Sequence, residues 1–232
     1  MTPQNTPSGS RRPLKSREKG WAHVVARWAK SAGFNPNSIS ILSIVFSFIA
    51  AVCLMTASDV TSSKVLAAFV WLGAIAGIQL RLLCNLIDGM VAIEGGMKSP
   101  VGGLFNEVPD RVADTLILVA AGYSNEFVVK LGPVPLGWVA ATLAMMTAYI
   151  RTLGGSLTGT QSFAGPMSKQ HRMFILSLAC FGAIVEQWIS PDGKVERAMQ
   201  VALTVIIGGA VITCIRRLLI IAKQLRQNSA KP

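Results

Sequence analysis

Asn85-Leu-Ile-Asp88-Gly89-Met-Val-Ala92, then Gly102, then Asn106-Glu107-Val-Pro-Asp110-Arg-Val-Ala-Asp114 is the stretch on which the reading of this chain turns. It holds five of the eleven acids, Asp88, Glu94, Glu107, Asp110 and Asp114, in a sequence that is 51% hydrophobic. Carboxylates beside hydrocarbon are costly and are kept there when they pair, hold cations or do chemistry. On a helix, Asn85, Asp88 and Ala92 share one face, and so do Asn106, Asp110 and Asp114. Two such helices side by side build an oxygen-rich cluster suited to a hard divalent cation. The turn signal Glu94-Gly-Gly-Met-Lys-Ser-Pro100 between them makes the stretch a helix–turn–helix hairpin over residues 85–114.

Outward from the hairpin the chain is a series of apolar blocks. Ile39–Met55, Val65–Leu83, Leu136–Ile150, Met173–Ile189 and Val201–Ile215 each approach the ~20 residues that cross ~30 Å of hydrocarbon. Thr115–Tyr123 reaches that length only if its helix begins near Asn106, inside the acidic stretch. The expected fold is an all-α integral membrane protein with six transmembrane helices. Trp21, Val24, Val25, Trp28 and Ala32 form an apolar stripe, which adds an N-terminal amphipathic interfacial helix over 21–32. Asn35-Pro36-Asn37-Ser38 ends it and caps the first span. The expected organisation is a disordered basic tail over 1–19, one membrane domain over 20–226 and a short tail over 227–232.

The net charge of +11 is distributed by topology. Of the 22 Lys and Arg, eighteen fall on the side that carries both termini and the hairpin, Arg81 and Arg217 among them. That places the termini and the acidic motif in the cytoplasm of a multi-pass protein of the cell's inner, cytoplasmic membrane. The cations cluster at membrane boundaries, which fits anionic lipid headgroups and not a nucleic acid. Cys53, Cys84, Cys180 and Cys214 stand singly and read as packing residues. A second polar stretch, Arg151 to Arg172, is rich in Gly, Ser and Thr with Arg151, Lys169, His171 and Arg172 at its edges. It reads either as a phosphate-binding segment or as a plain cytoplasmic loop. Glu107 and Arg111, four apart, read as a simple ion pair. Asp114 has two readings, a site carboxylate or a partner of Arg111 or Lys98.

The hairpin resembles the signature of the CDP-alcohol phosphotransferase (CDP-alcohol phosphatidyltransferase) family, D-x2-D-G-x2-A-R-x8-G-x3-D-x3-D, and aligns with it without a gap. Asn85, Asp88, Asn106 and Asp110 stand at the four Asp positions, Gly89, Ala92 and Gly102 at the small positions, and Ile93 where the family has Arg. The resemblance is therefore to a variant branch with Asn at two signature positions. The resemblance implies transfer of a phosphatidyl or other substituted phosphate group from a CDP-diacylglycerol-like donor to an acceptor alcohol, with release of CMP, in phospholipid biosynthesis. It implies a divalent cation, Mg or Mn, held by Asn85, Asp88, Asn106 and Asp110, with Asp114 as an added ligand and Asp110 as the base. Gly89, Ala92 and Gly102 would make room for the nucleotide, and Arg151, Lys169 and Arg172 would hold the phosphate of a phosphorylated acceptor. Membrane lipids are the other expected partners, and a homodimer is compatible with this architecture. The alternative is a catalytically degenerate relative that binds CDP-lipid as a sensor or scaffold. A small transporter fits worse, because the acids gather at one surface and not at the midplane of two symmetric halves.

Overall fold

The computed structural model describes residues 20–57, 59–60, 63–94, 100–124, 130–131, 134–190 and 197–229. The tail over 1–19, the turn over 95–99 with Lys98, the side chains of Ile93 and Glu94, and residues 230–232 lie outside the described residues. The elements are α1 (Gly20–Ser31), α2 (Pro36–Thr56), α3 (Lys64–Glu94), α4 (Gly102–Gly122), β1 (Lys130–Leu131), β2 (Val134–Pro135), α5 (Leu136–Thr158), α6 (Lys169–Ile189) and α7 (Ala198–Ser229). The two strands are a two-residue antiparallel ladder, Lys130 opposite Pro135 and Leu131 opposite Val134.

Five helices, α2, α3, α5, α6 and α7, are long and apolar enough to cross a membrane. Their outward faces carry Phe48, Phe69, Leu72, Phe174, Leu178, Phe181 and Leu219 in exposed positions, a surface suited to lipid and not to water. α4 has the same 21-residue length as α2. Its Glu107, Asp110, Arg111 and Asp114 set it apart from those five, and the expected sixth span is not among the helices apolar enough to cross. It lies inside the bundle all the same, with Ala113, Ile117, Leu118 and Ala121 buried. At 31 residues, α3 is ~46 Å long at 1.5 Å per residue and overruns the hydrocarbon, so its last turns carry the first half of the motif.

The six long helices close into a ring in which α3 packs on α2, α2 on α4, α4 on α5, α5 on α7, α7 on α6 and α6 back on α3. The core is built largely from small side chains, among them Ala50, Ala74, Ala121, Ala140, Ala144, Ala183 and Ala210, around a few large ones such as Trp71, Ile117 and Met173. Small residues let helix backbones approach closely, which is the main source of packing energy where lipid replaces water. Gly77 is the tightest case between α3 and α2. A β-carbon there would stand 2.8 Å from the Phe46 carbonyl oxygen and 2.9 Å from the Ala50 methyl. α1 lies on the end of α3, with Ala26 and Ala29 in one cluster with Ile39, Cys84, Leu86, Ile87 and Met90, while Trp28 and Val24 face outward.

Several boundaries differ from those the sequence suggests. Asn35 is the residue before α2, with Pro36 in the first turn, but its side chain makes no capping hydrogen bond. α4 begins at Gly102 and continues through Pro109. α5 does not stop at Ile150 but runs through Gly154 and Gly155 to Thr158, and Gly159 at φ +73° ends it. The paired glycines are packing positions, since Ile221 of α7 lies where a Gly154 β-carbon would be and Gln161 where one at Gly155 would be. α7 extends to Ser229, past the tail boundary at 227.

Gly77→Ala should lower the melting temperature in detergent, at a cost of about 1–3 kcal/mol for forcing two backbones apart. Gly103→Ala, where nothing lies within 4 Å of the new β-carbon, should be neutral or slightly stabilising.

Candidate active site

The start of α2, the ends of α3, α5 and α7, the start of α4 and the start of α6 meet at one end of the ring. Up-and-down connectivity makes this unavoidable, and it brings residues separated by more than 170 positions around one cavity of ≈ 390 Å³. Asn85, Gly89, Asn106 and Asp110 of the motif line it, together with Arg151, Lys169 and Arg172 of the second polar stretch. The two polar stretches therefore face each other, as a phosphate-binding reading of the second one requires. Ala92 and Gly102 are not among the lining residues. They lie farther along α3 and α4, at the ends that lead into the turn, and the expected ligands Asp88 and Asp114 stand behind the wall and do not line the cavity either.

Asp110 is buried and meets three cations. The Lys169 ammonium bonds its Oδ2 at 2.6 Å, Arg81 lies 3.6 Å from its Oδ1, and Arg111 lies 3.7 Å from its Oδ2. Its Oδ1 has no hydrogen-bond partner. Asp88 is also buried and turns toward α2, where the Ser40 hydroxyl donates to its Oδ2 at 2.5 Å and its Oδ1 is left without a partner. The Asn85 amide nitrogen is likewise buried without a hydrogen-bond partner, as are Arg81 Nε and Nη1, Arg151 Nε and Arg172 Nε. Asn106, half-buried on the same α4 face as Asp110, completes a set of two carboxylates and two carboxamides.

Asp114 is placed differently from the ligand reading. Its Oδ1 takes Arg81 at 2.5 Å and its Oδ2 takes Arg172 at 2.6 Å, with all three side chains at most 4% exposed. The physical reason is geometric. One turn beyond Asp110, the α4 face has passed below the cavity floor into the space between α3 and α6, and both helices aim an arginine there. Arg111 is not among these partners, and Lys98 lies outside the described residues. Arg81 adds a bond to the Asp110 carbonyl at 3.3 Å, so it braces two successive turns of α4.

Glu107 keeps its expected pair with Arg111, at 3.2 Å, and gains a second across the cavity, with Arg151 at 2.5 Å. Arg151 also lies 5.5 Å above the Phe163 ring, a cation–π contact. The loop holding Phe163 is pinned by Thr213 of α7, whose hydroxyl accepts from the Met167 N–H at 3.0 Å. Gly165 at φ +115° lets the chain pass over that threonine, which leaves no room for a β-carbon. Ser168 caps α6 by accepting from the His171 N–H at 3.4 Å, which sets Lys169 at the first position of the helix.

Ser40, Arg81 and Arg217 are site residues that the sequence reading did not single out. Arg217, buried at the end of α7, donates to the Ala164 carbonyl at 3.0 Å and to the Thr147 carbonyl, and so fixes the loop against α5. Arg81 carried a usable signal, because a lone cation one turn before Asn85 in an apolar helix needs a partner. Ser40 and Arg217 carried none beyond their polarity.

No protein-family model matches the chain. The chain is 23% identical over 163 residues to inner membrane protein YnbA of Escherichia coli (strain K12), an alignment covering 70% of this chain and 75% of that one. Its fold is that of Mycobacterium tuberculosis phosphatidylinositol phosphate synthase (PgsA1). The crystal structure with CDP-DAG bound gives a TM-score of 0.64 at 20% identity, covering 86% of this chain and 92% of the other. The complex with manganese and citrate gives 0.63 at 19% identity, covering 86% and 88%.

Removing one member of the Asp114 triad strands buried charge, so Asp114→Asn should cost about 3–5 kcal/mol. Thermal melts of that variant in detergent should show the same loss in EDTA as in Mn²⁺.

Proposed function

We propose that this chain is a phosphotransferase of the cytoplasmic membrane that moves a phosphatidyl or similar phosphate group from a CDP-linked lipid to an acceptor alcohol. The observation that carries the proposal is the cavity itself. A buried carboxylate, Asp110, stands in its wall with Asn85, Gly89 and Asn106 beside it and Arg151, Lys169 and Arg172 opposite. The fold shared with a synthase whose crystal structure holds CDP-DAG and the likeness to an inner membrane protein support the reading.

The chemistry follows from the residues. The acceptor hydroxyl oxygen attacks the phosphorus that carries the lipid, the bond from that phosphorus to the bridging oxygen breaks, and CMP leaves with the electron pair. The hydroxyl proton passes to Asp110, whose Oδ1 is without a hydrogen-bond partner. Asn85, Asp88, Asn106 and Asp110 are the oxygen donors that would hold a divalent cation, Mg or Mn, because Asp88 and Asp110 each keep an oxygen without a hydrogen bond. When bound, such an ion neutralises charge on the pyrophosphate. Arg151 and Arg172, already oriented by Glu107 and Asp114, hold the phosphate of the acceptor. Gly89 in the wall leaves space for the nucleotide. The hairpin faces the cytoplasm, where the donor's water-soluble headgroup is accessible.

A second reading is a CDP-lipid-binding protein without turnover. It is favoured by the finding that, among the described residues, no three His, Cys, Asp or Glu side chains are grouped to hold a metal.

The transferase reading predicts that the purified protein releases CMP from CDP-diacylglycerol when given a panel of free and phosphorylated alcohols with Mg²⁺ or Mn²⁺. Asp110→Asn should lower that release by at least ~10²-fold, the low end of general-base contributions, while CDP-lipid binding persists. CDP-lipid binding without CMP release under every acceptor would select the second reading.

A further inference from the structure

In and just behind the cavity wall, six cations, Arg81, Arg111, Arg151, Lys169, Arg172 and Arg217, face four acids, Asp88, Glu107, Asp110 and Asp114. The excess is positive before any metal arrives, and a positive pocket of low dielectric repels a divalent cation. The acids are also unequally available. Both oxygens of Asp114 are taken by Arg81 and Arg172, and both of Glu107 by Arg151 and Arg111. What remains is one oxygen without a hydrogen bond on Asp88 and one on Asp110, the latter with Arg81 at 3.6 Å, each side chain more than nine-tenths buried. Two carboxylates match the charge of one divalent ion and not of two. The Lys169 ammonium already sits on the other Asp110 oxygen at 2.6 Å.

Resting on the reading above, we propose that this cavity binds a single divalent cation, together with a pyrophosphate-bearing ligand and not before it. Until that ligand enters, the Lys169 ammonium holds the carboxylate that the cation needs. A pyrophosphate brings the negative charge that the pocket lacks. It gives Lys169 a better anion than Asp110, which releases Asp110 to the metal, and its own oxygens complete the coordination that two carboxylates and two carboxamides leave short. Asn85 and Asn106 donate carbonyl oxygens without charge, so they help to hold the ion without drawing it in alone.

Mn²⁺ binding to the full chain in detergent, stripped with EDTA and followed by electron paramagnetic resonance of free Mn²⁺, tests this without turnover. Without nucleotide the chain should take up little Mn²⁺. With saturating CDP-diacylglycerol it should bind one ion per chain, at least tenfold more tightly. Lys169→Met should raise Mn²⁺ affinity in the nucleotide-free state at least tenfold, since it removes the competing ammonium, and should weaken CDP-diacylglycerol binding. Asn85→Asp with Asn106→Asp should bind Mn²⁺ without any nucleotide. Equal Mn²⁺ affinity with and without the lipid, two ions per wild-type chain, or a Lys169→Met variant that gains no affinity for Mn²⁺ would overturn the proposal. The nucleotide-free arms need no lipid. If they behave as stated and CDP-diacylglycerol does not bind with or without Mn²⁺, the transferase reading fails and the coupling fails with it.

Discussion

Asp114 held between Arg81 and Arg172 is the interaction on which the rest of this end of the molecule depends. It joins α3, α4 and α6 through two bonds of 2.5 and 2.6 Å among side chains almost closed to solvent. A buried ion triad gains little stability over apolar packing, because desolvation offsets the Coulomb attraction. Its value lies in arrangement. Arg81 fixes the carbonyl of Asp110 as well as the carboxylate of Asp114, and Arg172 sits one turn along α6 from Lys169, which holds Asp110. With the triad in place, the carboxylate most central to the cavity has its neighbours set on three helices.

The consequence is a division of labour among four acids within two turns of α4 and one of α3. Asp114 organises, Glu107 orients Arg111 and Arg151, and Asp88 and Asp110 retain oxygens for chemistry. Each of the four acids is matched with a cation or a hydroxyl from another element, and Arg111 adds pairs to Glu107 and Asp110 within α4. That leaves the cavity net positive, a field suited to nucleotide and phosphate anions more than to free metal ions.

Much of this was legible in the sequence. Apolar block lengths gave the long helices, and acid spacing put Asn85 and Asp88 on one face and Asn106 and Asp110 on another; Asn85, Asn106 and Asp110 line one cavity, while Asp88 stands behind its wall on Ser40. The local pair Glu107–Arg111 followed from spacing alone. Periodicity put Asp114 on the face of Asp110 and left it open between a site carboxylate and an ion-pair partner, but it did not show which cations it meets. Arg172 lies 58 positions away, and only the closure of the ring between α3 and α6 brings it there. Arg217 read as a boundary cation because sequence cannot tell a snorkelling side chain from one that turns inward to backbone carbonyls. Gly154 and Gly155 read as loop residues because glycine marks both turns and close helix contacts, and only the presence of Ile221 and Gln161 against them decides between the two.

The most direct test of the account is a structure of the protein with CDP-diacylglycerol and Mn²⁺ bound, in which anomalous scattering locates the metal and the Asp114 side chain is resolved. The account predicts Asp114 still bonded to Arg81 and Arg172, the pyrophosphate against Lys169, and the metal between Asp88 and Asp110. A metal ligated by Asp114, with Arg81 and Arg172 displaced from it, would contradict the division of labour described here.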